Sequence, residues 1–299
     1  MFIHELIKNT FRDFSVGWWF KLKNDSYNII KFLSNLAAIK DIDLFILDYF
    51  KSKGVNTFIV CFDEVEKDFF YIDYSEIRSN NFLEYWDKSR IKFPQKKKKS
   101  PPIPKASERN RNRLEQAIRL LKSHNALKKS ALERVFANCW LASGAYWDID
   151  SFVRYDDKII AFEVKQKYPT ARGTFGLNVG LANLFNFLTS LGIEVIHIIL
   201  TKPARNYKIP AIDFYTKKEY RNKLSWVGIK FTSEILLNNF SVAPSKTSIF
   251  GASKLKYYHI NPKSFHFIKK FGTESNDNLT RFINGHTKPL KSLSDLKEV

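Results

Sequence analysis

The hydrophobic pattern is sharpest between Tyr146 and Lys167, where two runs rich in β-branched and aromatic residues flank the pair Asp156-Asp157. That pattern predicts a β-hairpin with a two-residue turn. Pairing Tyr155 with Lys158 sets Asp150 opposite Glu163 and Asp148 opposite Lys165. Side chains alternate faces along a strand, so these four charged residues share one side. Ile149, Val153, Ile160, Phe162 and Val164 take the other side, which reads as a core face.

Helical periodicity precedes the hairpin. From Ser107, Leu114, Ile118, Leu121 and Leu127 recur near helical spacing, with Arg109, Arg111, Arg113 and Arg119 on the polar side. A second helix is expected from about Lys129 to Ser143, buried through Leu132, Val135, Phe136, Cys139 and Trp140. Beyond the hairpin come a polar loop from Pro169 to Gly176, an apolar helix from Phe175 to Leu191 stopped by Gly192, and a β-branched run, Glu194 to Thr201, typical of a buried strand. His197 in that run reads as a core or sheet residue rather than a general base. Residues 1–87 read as a small α/β unit: strand Val16 to Lys23, helix Tyr27 to Ile39, strand Asp43 to Phe50, then strands Thr57 to Phe62 and Phe69 to Tyr74. The last stretch, from about Thr273, is polar and expected to be loosely ordered.

Two carboxylates directly opposed on a hairpin repel, so Asp150 facing Glu163 calls for a cation between them. Hard divalent ions prefer carboxylate oxygens, and a neighbouring lysine can hold a phosphate or a water. On this argument Asp150→Asn stabilises the metal-free protein. Asp150 followed by Glu163-Val164-Lys165 resembles the D-xn-(D/E)-x-K signature of the PD-(D/E)XK nuclease superfamily, although Ile149 stands where the family often has Pro. The resemblance implies a restriction-endonuclease-like or Holliday-junction-resolvase-like α-β-β-β-α-β core. It implies Asp150 and Glu163 as ligands of Mg2+, with Mn2+ as a substitute, and Lys165 as the catalytic lysine. Glu133 matches the glutamate that many relatives carry on the first core helix, with an ordinary exposed glutamate as the other reading. Gln166 matches a polar residue that helps to place substrate. The implied activity is that of a metal-dependent nuclease, a DNA endonuclease first. The alternative is a non-catalytic nucleic-acid-binding subunit of a mobile-element or defence complex.

Charge separates the chain into parts. Residues 1–87 carry 10 basic and 14 acidic side chains, residues 88–128 carry 14 and 2, residues 129–202 carry 8 and 7, and residues 203–299 carry 17 and 7. A nearly neutral core flanked by basic segments is the footprint of a nucleic-acid binder. The expected organisation is therefore an N-terminal α/β accessory domain (1–87), a basic Lys/Pro linker (88–106), the nuclease-like core (107–202) and a basic, aromatic-rich C-terminal region (203–299). Lys96, Lys97, Lys98, Lys99, Lys167, Arg172, Lys217 and Lys218 are the candidate phosphate contacts, the linker lysines serving either as tether or as backbone contact. Phe20-Lys21-Leu22-Lys23 ahead of a helix echoes the Glu163-Val164-Lys165 strand, as a degenerate duplicate would. No paired carboxylates precede Lys21 or Lys23, so this segment is not expected to be catalytic.

Cys61 and Cys139 sit apart in apolar runs and read as small buried hydrophobes, not a disulfide or zinc site. With no leader pattern and no apolar run of membrane-spanning length, the expectation is a soluble cytoplasmic protein of bacterial or phage-like context. Its partner is nucleic acid, DNA before RNA, with no membrane, acting as a homodimer or with partner subunits.

Overall fold

The computed structural model describes residues 6–7, 10–77, 82–94, 108–139, 141, 145–170, 173–201, 213, 217–244, 254–273 and 277–292. The elements run β1 (Phe14–Ser15), β2 (Trp18–Lys23), β3 (Ser26–Leu33), α1 (Asp41–Ser52), β4 (Thr57–Asp63), β5 (Asp68–Asp73), α2 (Phe82–Ser89) and β6 (Ile91–Lys92). Next come α3 (Glu108–Ser123), α4 (Leu127–Cys139), β7 (Tyr146–Ile149), β8 (Ser151–Tyr155), β9 (Lys158–Lys167), β10 (Phe175–Asn178), α5 (Val179–Ser190) and β11 (Glu194–Thr201). The last are α6 (Lys218–Arg221), β12 (Ser225–Lys230), β13 (Leu236–Pro244), β14 (Lys254–Ile260), β15 (His266–Lys270) and α7 (Asp277–Ile283). The protein is mixed α/β. No helix among the described residues is long and apolar enough to cross a membrane.

The chain divides into two compact units that are not consecutive in sequence: Asp13–Ser100 with Leu121–Ile159, and Met1–Arg12 with Pro101–Leu120 and Ile160–Val299. The first unit holds a sheet in the order β6-β5-β4-β3-β2-β7. Its hairpin β2–β3 turns at Asn24 and Asp25, both with positive φ (48° and 59°), a conformation that Asn and Asp tolerate. Helix α1 then crosses over so that β4 lies parallel to β3 (Ile29↔Thr57). Trp18 and Phe20 meet Phe50 of α1, while Trp19, Phe32 and Phe69 pack with Phe136 of α4. Helices thus cover both faces.

The expected helix from Tyr27 to Ile39 is strand β3, and the expected strand from Asp43 to Phe50 is helix α1. The run Ile29–Leu33 is buried without interruption, as a strand with neighbours on both faces requires. In α1, Ile42, Ile46 and Phe50 fall on one helical face, and Asp43 Oδ2 accepts from the Lys40 backbone NH at 3.0 Å, satisfying a free donor at the helix start.

In the second unit β9 lies parallel to β11, with β12 and β15 continuing antiparallel. A three-stranded sheet, β10-β14-β13, stands beside this arrangement in the same unit. Residues 175–178, expected to begin the helix, form β10. Asn178 ends it by capping α5, its Oδ1 accepting from Gly180 N at 2.8 Å. Within the polar C-terminal stretch, residues 277–292 carry α7, where Leu279, Phe282 and Ile283 are buried, as is Leu290.

Candidate functional site

Strand β9 carries the central triplet. It begins after a two-residue turn, Asp156-Asp157, with Asp156 at φ 51°. Ile160, Phe162 and Val164 are buried as expected, but so is Glu163, with no exposure at all. Glu163 therefore does not stand on a solvated strand face. Removing a carboxylate from water costs several kcal/mol unless a cation and hydrogen bonds compensate. Lys165 supplies the cation: its Nζ lies 2.5 Å from Glu163 Oε1, and its side chain keeps 36% of its exposure. The pair is buried at the acid and open at the base.

His197 and Lys167 complete this surroundings. His197 stands next to Glu163 in the parallel ladder, and its Nδ1 lies 3.1 Å from the Glu163 carbonyl oxygen. A carbonyl can only accept, so Nδ1 carries the proton. Burial, then the Lys167 and Lys165 ammonium groups, holds the ring well below its ordinary range and therefore neutral. Lys167 Nζ donates to the carbonyl of Gly176 on β10. Burial, reinforced by Lys165 and opposed by Glu163, lowers Lys167 to about 8. Gln166 falls on the opposite side of β9 by alternation, with its Nε2 buried and without a hydrogen-bond partner among the described residues.

The other predicted acids lie in the first unit. The expected single strand before the turn is two strands, β7 and β8, separated by Asp150. Strand β7 pairs with β2, Asp148 opposite Trp19, whereas β8 pairs with β1. The register that opposes Asp148 to Lys165 is therefore not the observed one, because the chain changes ladders at Asp150. Glu133 instead feels the like charge of Asp148. Trp19 Nε1 donates to Glu133 Oε1 at 3.2 Å. Burial raises the Glu133 carboxyl, the Asp148 charge adds to that, and Lys129 opposes it.

Among the candidate phosphate contacts, Lys96, Lys97, Lys98, Lys99 and Arg172 lie outside the described residues. Lys217 is tied to Asp213 at 3.1 Å, and Lys218 is exposed at the start of α6. A more open basic and aromatic surface lies on β13 and β14. Phe240 and Val242 are half exposed, and Lys256 Nζ sits 5.3 Å from the Phe240 ring centre. The aromatic-basic composition of residues 203–299 signalled such a surface, but not which residues form it.

Sequence reasoning missed one buried charge cluster. Lys31 Nζ contacts Asp43 Oδ1 at 2.7 Å, Ser15 Oγ at 3.0 Å and the Val16 carbonyl at 2.6 Å. Trp18 Nε1 donates to the same Ser15 hydroxyl at 2.6 Å. A lysine inside the apolar run Ile29–Leu33 was the available signal. No family model matches the chain, and no curated protein matches it.

Proposed function

We propose that this chain is a Mg2+-dependent nuclease with a restriction-endonuclease-like core, hydrolysing phosphodiester bonds in nucleic acid, DNA first. The observation that carries this reading is a fully buried glutamate two residues ahead of a half-open lysine on β9, followed by helix α5 and the parallel strand β11. A surface ion pair needs no buried acid, whereas a divalent-ion site does well with one.

The donors are carboxylate oxygens, the ligand type that hard divalent ions take. Glu163 would contribute a ligand, and Asp150 and Glu133 are the further ligands the resemblance implies. A bound Mg2+ would supply charge neutralisation at the phosphate and would acidify water. Lys165, tethered by Glu163 and open to solvent, orients the attacking water and stabilises negative charge on phosphorus. Neutral His197, donating to the Glu163 carbonyl, fixes the backbone that carries the acid. Lys167, Lys217, Lys218 and the Phe240–Lys256 surface contact the substrate backbone.

A second reading keeps the fold as a nucleic-acid-binding platform. It is favoured by Lys31–Asp43, which demonstrates that this protein carries a buried ion pair outside the proposed site. Incubation with supercoiled plasmid or single-stranded DNA in Mg2+, Mn2+ or EDTA separates the two readings. Metal-dependent cleavage that Lys165→Ala loses is the expected result. Binding without cleavage across all conditions refutes the enzyme reading.

A further inference from the structure

Residues 14–33 and 146–165 follow one plan at a constant spacing of 132 positions, from Phe14 to Tyr146 through Leu33 to Lys165. Each segment opens with a short strand, β1 or β7, and continues into a hairpin, β2–β3 or β8–β9. Each turns on two polar residues, the first with positive φ: Asn24 at 48° and Asp156 at 51°. The opening strands are exchanged. Strand β1 pairs with β8 and β7 with β2, in the same register: Phe14↔Val153 and Ser15↔Phe152 on one side, Tyr146↔Lys21 and Trp147↔Phe20 on the other. These eight residues map onto one another at the same spacing: Phe14 onto Tyr146, Ser15 onto Trp147, Phe20 onto Phe152 and Lys21 onto Val153. The equivalent residues Phe20 and Phe152 meet each other, ring centres 6.3 Å apart, as equivalent positions do beside a local two-fold axis.

The correspondence continues past the hairpins at a spacing of 138. Helices α1 and α5 both have 12 residues and end alike. Gly54 N donates to Lys51 O and Val55 N to Phe50 O. Gly192 N donates to Thr189 O and Ile193 N to Leu188 O. Both glycines have positive φ, at 73° and 88°. The following strands run parallel to the second hairpin strand in matching register, Ile29↔Thr57 and Ala161↔Val195.

We infer that the chain contains two copies of one fold unit with exchanged first strands, of which only the second retains a hydrolytic centre, so that each chain nicks rather than cuts through a duplex. The inference rests on the proposed nuclease activity. At the spacing of 132, Lys31 stands in place of Glu163, Leu33 in place of Lys165 and Trp18 in place of Asp150. The metal-binding acid has become a buried ammonium whose contacts to Asp43, Ser15 and Val16 are all internal. Such a position repels a divalent cation. One centre hydrolyses one ester per encounter: a bond from water oxygen to phosphorus forms, the ester P–O bond breaks, and the water proton ends on the departing oxygen.

The test uses the full chain at low enzyme on supercoiled plasmid with Mg2+, together with calorimetric Mn2+ titration of wild type, Glu163→Gln and Asp43→Asn. Open-circular DNA accumulating to most of the plasmid before linear DNA appears is the expected result, with Mn2+ binding abolished by Glu163→Gln and kept in Asp43→Asn. Linear DNA formed as fast as supercoiled DNA disappears overturns the inference but leaves the nuclease reading standing. So does Mn2+ binding that survives Glu163→Gln and is lost in Asp43→Asn. Absence of both cleavage and Mn2+ binding overturns the nuclease reading itself, and this inference with it.

Discussion

Asp43→Asn probes the buried cluster of the first unit, where the magnitude follows from the contacts. Lys31 and Asp43 are almost entirely enclosed, with side-chain exposures of 4% and 2%. Burial lowers the Lys31 ammonium from its ordinary 10.5 to about 8 even with Asp43 beside it. At 1.36 kcal/mol per unit, that depression weighs roughly 3 kcal/mol against the charged form. Removing the aspartate charge leaves the ammonium enclosed without an anion, a loss on the order of 3–5 kcal/mol. The deficit depends on pH. The folded-state value of Lys31 is depressed, so between about 8 and 10.5 the unfolded chain binds more protons and wild-type stability rises with pH. In the variant Lys31 sheds its proton at lower pH, so the gap between the two proteins is widest near pH 6 and narrows by pH 9. Urea unfolding followed by tryptophan fluorescence at both pH values measures this through the midpoints at constant slope. The double variant Lys31→Met with Asp43→Leu should recover most of the loss, because no charge is left buried. A deficit below about 1 kcal/mol at pH 6, or one equal at both pH values, refutes the reasoning.

Four further outcomes are expected. Lys165→Ala should reduce cleavage by about 10²–10⁴-fold, as loss of a proton-handling group does, and should also lower the melting temperature of the metal-free protein, because the fully buried Glu163 carboxylate loses the cation beside it. Since Lys167 is lowered to about 8, nucleic-acid affinity should fall as pH rises through that value and its cation is lost. Lys167→Met should flatten that dependence in a binding titration between pH 7 and 9, and an unchanged profile would exclude the contact. Phe240→Ala should weaken single-strand binding by about 1–3 kcal/mol, the worth of one stacked base. Lys256→Glu should instead lower the slope of affinity against salt, both read by fluorescence anisotropy.

The central strands were legible because their sequences admit one reading. Glu194 to Thr201 is a β-branched run too short for a helix, and the Asp156-Asp157 pair marks a turn between two β-rich runs. Residues Ser26–Leu33 were not legible, because a continuous apolar run suits a buried strand and a buried helix alike. Only the α1 crossover and the parallel β4 decide for the strand. The break at Asp150 was also hidden: alternation of faces runs through it unchanged, while the hydrogen-bond partners on either side belong to different ladders. Strand β1, two residues long, carries no periodicity. The proposed duplication was legible only in the wrong register: Phe20-Lys21-Leu22-Lys23 lies on β2, which matches β8, while the strand that matches Glu163-Val164-Lys165 is β3. In the aligned hairpins Phe20 matches Phe152 and Asp25 matches Asp157, but the chemical positions differ outright, Lys31 against Glu163. Pairing and register preserve what side-chain identity has lost. For the candidate site, the spacing of Asp150, Glu163 and Lys165 carries the expectation, and the structure adds the burial of Glu163 and its contact with Lys165. The complete burial of Glu163 depends on what packs over β9, and no local pattern reveals that.

The central claim is that Glu163 is buried for chemistry and not for stability. Measuring cleavage and thermal unfolding side by side in Glu163→Gln tests it most directly. The account predicts that metal-dependent cleavage disappears while the melting temperature holds or rises, because a costly buried charge has been removed and Lys165 retains access to water. Cleavage at the wild-type rate, or a melting temperature that collapses together with activity, would contradict it.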